Sequence, residues 1–168
     1  MCDRMNSLTI VPLTNTLVEE ATSAIREIIS PLSYYNEWAL REEMEKYSTE
    51  RLKDLAEKTP DSIFLAVLND EIAGFCINSY DDGLIWLAWF GVRSRYRGRG
   101  IGATLLQELE NSARRRRCHK IWCDTRTDNL LSQSVLARAG FSKICILSNH
   151  WYGQDFFLWE KLIYDSRP

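Results

Sequence analysis

No stretch of this chain limits its fold more than Val92-Arg93-Ser94-Arg95-Tyr96-Arg97-Gly98-Arg99-Gly100-Ile101-Gly102-Ala103. Ahead of it, Leu84 to Val92 is apolar at almost every position, the pattern of a central strand buried on both faces. Behind it, Gly100 to Arg117 puts Ile101, Leu105, Leu106, Leu109 and Ala113 on one helical face. A further strand follows, His119 to Asp124. Strand, helix, strand in that order demands a parallel pair with a right-handed crossover. Within the turn, three glycines at alternate positions remove side chains that would keep a ligand away. The first amides of the helix have no intrahelical acceptor, and the helix dipole adds positive potential there. Together these make a cradle for a pyrophosphate, with Arg97 and Arg99 available for charge-assisted bonds.

The rest of the chain frames that unit. Ser7 to Leu13 reads as a first strand. Thr14, Asn15 and Thr16 offer capping side chains to a helix from Leu17 to Ile29, which Ser30-Pro31 ends. An aromatic linker, Leu32 to Trp38, leads to a polar helix from Ala39 to Lys58 with a break near Ser48-Thr49. Ser62 to Leu68 and Ile72 to Tyr80 form a hairpin about Asn69-Asp70-Glu71, and Asp81-Asp82-Gly83 turns the chain into the central strand. After the parallel unit come a helix from Asn129 to Ala139, closed by Gly140, and two last strands, Ser142 to Leu147 and Gln154 to Ile163. The expected fold is α/β in a mixed sheet, mostly antiparallel with one parallel pair, and helices on both faces.

The chain has 168 residues, which suits one domain over 1–168. Its net charge of −2 recruits neither nucleic acid nor a membrane surface. The basic run Arg114 to Arg117 sits at a helix C-terminus, where the dipole favours cations, and lacks the interleaved aromatics of a nucleic-acid patch. The longest apolar run, Leu84 to Val92, is too short to span a bilayer. The five cysteines are odd in number and match no zinc spacing, so no metal is expected. Cys76 and Cys145 lie in apolar runs and read as core residues of a cytoplasmic protein.

Three readings compete for the glycine loop. Gly98-x-Gly100-x-x-Ala103 fits a loose dinucleotide fingerprint, with Asp124 at a suitable distance. That fingerprint opens a repeated βαβ domain, whereas here it lies mid-chain after antiparallel hairpins. A P-loop is excluded, because no Gly-Lys-Ser/Thr follows. The third reading comes from a resemblance. Arg97-Gly98-Arg99-Gly100-Ile101-Gly102, extended by Leu105-Leu106, resembles the signature of the GNAT family of N-acetyltransferases. Asn129 ahead of a helix ending in Gly140-Phe141 is similar to a second segment of that family, and the order of elements agrees from Leu8 to Ile163.

The resemblance implies acetyl-CoA as acyl donor and an amine as acceptor. It places the pantetheine arm between two splayed parallel strands, along Phe90, Gly91 and Val92. The pyrophosphate then lies on Arg97, Gly98, Arg99, Gly100, Ile101, Gly102 and Ala103, with Asn129 nearby. Gly91 within a strand signals either a bulge that aims an amide at the thioester carbonyl or simple packing relief. Direct attack needs a base for the ammonium and an acid for the thiolate. The family's usual Tyr, four residues before the Gly of Gly-Phe, is Leu136 here, and its usual Glu on the central strand is missing. Tyr152 is the substitute expected as acid, with His150 as a proton relay and Asp124 as a base through water. Cys123 reads as buried rather than nucleophilic.

The linker residues Tyr34, Tyr35 and Trp38 occupy the position of the loop that covers the acceptor in that family. Acidic residues Glu37, Glu42, Glu43, Asp81 and Asp82 either attract a cationic amine or solubilise the surface. The segment His150 to Asp155 is similar to the end of the ribosomal-protein alanine acetyltransferases. A protein N-terminus and a small amine both remain open as acceptors. A non-catalytic acyl-CoA-binding module is the other function class, motivated by Leu136 and the missing Glu.

Overall fold

The computed structural model describes residues 7–163; Cys2 lies outside them. Seven strands form one sheet in the order β1-β2-β3-β4-β5-β7-β6. They are β1 (Leu8–Pro12), β2 (Ile63–Leu68), β3 (Glu71–Asp81), β4 (Leu84–Val92), β5 (Lys120–Arg126), β6 (Ser142–Leu147) and β7 (Phe156–Leu162). All neighbours are antiparallel except β4 and β5. The helices are α1 (Val18–Ile29), α2 (Glu37–Lys46), α3 (Thr49–Lys58), α4 (Ile101–Arg115) and α5 (Leu130–Arg138).

The two tight hairpins follow from backbone preference. Asn69 and Asp70 sit at φ 54° and 62°, and Asp82 and Gly83 at 46° and 78°. Two consecutive left-handed residues are what a type I′ turn requires, and Asn, Asp and Gly are the residues that tolerate them. The crossover from β4 through α4 to β5 produces the parallel pair.

Two apolar clusters hold the layers together. On one face α4 lays Ile101, Leu105, Leu106 and Leu109 against Ile85, Leu87, Ile121 and Cys123. On the other, α1 lays Val18, Ala21, Ile25 and Ile28 against Leu65, Phe75 and Ile77. Leu136 is fully buried in the first cluster. The position therefore serves the core.

Several expectations are corrected. α1 is entered through a 3-10 turn, Asn15–Leu17, and none of Thr14, Asn15 or Thr16 caps it through its side chain. Thr14 bonds Thr16, and Asn15 donates to Glu57 instead. α2 begins two residues earlier than expected, because Asn36 caps it by accepting from the Ala39 amide at 2.9 Å. Trp38 is thereby in a helix rather than a linker. Cys145 is exposed, because β6 is the outermost strand and Ser142 to Ile146 face solvent. Cys76 is buried as expected. No helix among the described residues is long and apolar enough to cross a membrane.

Candidate active site

β4 and β5 pair only from Leu84↔Lys120 to Leu87↔Cys123. Beyond that level β4 runs on to Val92 against β3, and β5 runs on to Arg126 against β7. The strands part at Ala88 and Asp124, and a cavity of about 760 Å³ opens in the gap. The register also slips at this level. Ile77 faces Trp89 while Asn78 faces Leu87, so Ala88 is the extra residue of a β-bulge. The bulge sends Ala88 and Trp89 both towards α1, while Phe90 and Val92 return to the α4 face.

The bulge is at Ala88 and not at Gly91. A Cβ on Gly91 would lie 2.7 Å from Ile28 Cγ2 and 3.3 Å from the Phe75 ring. Packing relief under α1 explains this glycine. Gly98 and Gly100 differ: both have φ near +78°, and a Cβ on either meets no protein atom within 4 Å. Their backbone conformation selects glycine, and the surface above them stays open.

One end of the cavity carries the cradle. Arg97, Gly98, Gly100, Ile101, Gly102 and Ala103 line it, beneath the free edge of β4 at Phe90, Gly91 and Val92. Arg97 Nε donates to the Val92 carbonyl at 3.2 Å, which ties the loop to the strand. Asn129 lines the cavity as well and caps α5, its Oδ1 accepting from the Ser132 amide at 3.1 Å. Open glycines, unpaired first-turn amides and a basic residue fit a pyrophosphate group. Arg99 does not line the cavity among the described residues; its guanidinium lies 5.7 Å from the Tyr96 ring centre.

The other end is aromatic and acidic. Tyr34, Tyr35, Glu43, Asp124, Trp151 and Tyr152 line it. Asp124 is the first β5 residue past the pairing with β4 and accepts from the Trp151 indole N–H at 2.6 Å. Burial pushes its carboxyl up to about 6; the Trp151 bond and His150 pull down, while Glu43 adds to the rise. A carboxylate that titrates near neutrality is suited to accept a proton. Glu43 is buried on α2, and its two oxygens accept from Trp89 Nε1 at 2.8 Å and Tyr152 Oη at 3.1 Å.

That last bond bears on Tyr152. Its hydroxyl proton points to Glu43, and burial together with Glu43 pushes the phenol up to about 12. Its backbone is left-handed, φ 55° and ψ 32°, a strained conformation for a residue with a Cβ. Burial likewise raises Tyr35 well above the usual phenol range. Cys123 is buried and its thiol is pushed up by desolvation, which keeps it protonated and unreactive.

Two residues expected in the site stand behind it. His150 packs its ring 4.5 Å from Trp151 and 6.1 Å from Phe156 and does not line the cavity. Trp38 is half exposed and meets the Tyr152 ring edge-on at 5.3 Å, outside the cavity wall. Arg126 and Gln154, which nothing in the sequence singled out, clasp the two covering loops. Gln154 Nε2 and Arg126 Nε donate to the Tyr34 carbonyl, and Asn36 Nδ2 donates to the Tyr152 carbonyl at 3.0 Å. Arg126 also donates to the Asp155 carbonyl.

Comparison with known proteins agrees with this architecture. An acetyltransferase of Pectobacterium atrosepticum is 37% identical over 70 residues, which are 42% of this chain and 50% of that protein. The chain thus spans about half the length of the curated relative it matches. Among solved structures, a PaiA N-acetyltransferase from Thermoplasma acidophilum in complex with coenzyme A superposes with a TM-score of 0.79 at 22% identity, covering 94% of this chain and 99% of that one. The ribosomal-protein-S18-alanine N-acetyltransferase of Escherichia coli gives 0.70 at 19% identity, covering 94% of each. These two likenesses establish the fold. The model of the acetyltransferase (GNAT) family matches residues 29–141, more than half of the sequence. The chain belongs to the acetyltransferase (GNAT) family, whose donor substrate is acetyl-CoA.

Proposed function

We propose that this protein is an N-acetyltransferase that moves an acetyl group from acetyl-CoA to a primary amine by direct attack. The observation that carries the reading is the parting of β4 and β5. It leaves the backbone edge of residues 88–92 facing a cavity that ends on the glycine cradle. The pantetheine amides pair along that edge, and the pyrophosphate rests on Arg97 to Ala103, with Asn129 at the side. The thioester then lies towards Ala88, between the cradle and the acidic end.

Asp124 is the base. With its carboxyl near 6 it is ionised at neutral pH and takes one proton from the incoming ammonium, directly or through water. The neutral amine attacks the thioester carbonyl. As the C–S bond breaks, the second amine proton passes to the thiolate, so no separate protein acid is required. Tyr152, whose proton is held by Glu43, walls the acceptor site, and its oxygen lone pair is free to accept an N–H from the amine. Positioning supplies much of the rate in such a scheme.

The test is turnover. Thiol release from acetyl-CoA should depend on a primary amine and yield the N-acetyl product by mass spectrometry. Tight acetyl-CoA binding with no turnover on any small amine or peptide would favour the non-catalytic acyl-CoA-binding module.

A further inference from the structure

A second, smaller hollow of about 230 Å³ adjoins the acidic end of the cavity, and Trp86 lines both. Register explains the continuity. Trp86 lies beside Trp122 in the parallel pair and opposite Ser79 in the antiparallel one. One step back on the same face, Leu84 lies beside Lys120 and opposite Asp81. The two indoles meet edge to face with centres 5.4 Å apart, and both are half-buried. Asp81 and Asp82 close the outer end of the hollow.

We propose that this groove is an extension of the acceptor site and that the acceptor is a linear aliphatic diamine or polyamine. One amine meets Asp124 and the thioester. The methylene chain crosses Trp86 and Trp122, and a distal ammonium reaches Asp81 and Asp82. The proposal rests on the acetyltransferase reading above and adds the class of its acceptor.

Three features select this chemistry. The floor is two indole rings, which suit methylenes and take an ammonium on their faces. The Lys120 ammonium already sits 5.6 Å from the Trp122 ring centre while paired with Glu160, so that cation is neutralised in place. The groove is acidic at both ends, with Glu43 and Asp124 inside and Asp81 and Asp82 outside; Lys46 lines the cavity near Asp124, and Lys120 lines neither hollow. The acids are also well separated. Asp81 lies on β3 at the level of Lys120, four residues from Asp124 along the strands and two strands across the sheet, about 16 Å in all at a strand's ~3.3 Å rise per residue and ~4.8 Å spacing. A peptide acceptor is disfavoured. Its own N–H and C=O groups would need partners that an indole floor does not offer, and the covering loops are clasped by Asn36, Arg126 and Gln154.

The test compares 1,8-diaminooctane with octylamine, which differ only in the distal amine, and adds an alanine-initiated hexapeptide. Rates and thermal shifts are measured on the wild type and on the double variant Asp81→Asn/Asp82→Asn. Asn tolerates the left-handed backbone at position 82, so the hairpin is retained. The diamine should show kcat/KM at least about tenfold above octylamine. That ratio should fall towards one in the double variant, which keeps its acetyl-CoA thermal shift. Equal use of octylamine, or a diamine preference that survives the double variant, overturns the proposal. Acetylation of the peptide but of neither amine overturns it while leaving the acetyltransferase reading intact. If no acceptor is acetylated, the activity fails and the thermal shift decides. A rise with diaminooctane and not with octylamine upholds the groove, and no such rise overturns it.

Discussion

At the scale of single residues, the acidic end turns on Asp124, Glu43 and Tyr152. Asp124 titrates near 6, so kcat/KM should fall below that pH as the base is protonated. Replacing Asp124 by Asn should lower kcat by about 10²-fold or more and remove this acid limb. The same change should raise Tm near neutral pH. The folded carboxyl holds its proton more tightly than the usual ~3.9, so the folded state loses stability as pH rises from there to about 6. Asn carries no such burden, and the difference in Tm should vanish in acid. An Asp124→Asn enzyme with wild-type kcat would remove Asp124 from the chemistry. For Tyr152→Phe, a wall residue predicts a raised acceptor KM with kcat held within about twofold. A fall in kcat of about 10²-fold would restore Tyr152 as the acid. Glu43 was only one of several acids in the sequence. Packing of α2 against Trp89, and not a local pattern, separates it from Glu42 and Glu45.

At the scale of elements, β4 and its turn into α4 were legible because their requirements are local. An apolar run, alternate glycines and an amphipathic helix each leave a mark on the sequence. The site of the bulge was not legible. Gly91 drew attention, yet the extra residue is Ala88, which any backbone scan would pass over. Gly91 answers to α1, a contact between residues far apart in the chain. Adding its Cβ should therefore cost about 1–3 kcal/mol through overpacking. Urea unfolding of Gly91→Ala, Ile28→Ala and the double variant should show a double variant more stable than the two singles sum to, since Ile28 Cγ2 is the atom struck. Additive losses would place the strain elsewhere. Cys145 and the clasp residues Arg126 and Gln154 failed for a related reason. Whether an apolar strand lies at an edge, or a polar side chain reaches a distant carbonyl, is decided by sheet order.

At the scale of the whole molecule, the sheet does one thing on which the rest depends. It holds β4 against β3 and β5 against β7, so that the two can separate and leave a backbone edge beside a glycine cradle. The strand–helix–strand order foretold the parallel pair. Where its pairing stops, after Leu87 and Cys123, depends on the bulge and was readable only in three dimensions. A ligand that bridges edge and cradle should stabilise the fold by mass action, by about 2.7 kcal/mol at 100 times its dissociation constant. The most direct measurement is calorimetric titration of acetyl-CoA into the wild type and Gly100→Asp, with Tm recorded for both. Aspartate is among the residues that tolerate a left-handed backbone, and its Cβ at position 100 meets no protein atom within 4 Å, so the variant should fold. Binding and a raised Tm in the wild type, both lost in a folded Gly100→Asp, is the predicted result. Unchanged acetyl-CoA affinity in that variant would contradict the account, because the pyrophosphate would then lie somewhere other than the loop between β4 and α4.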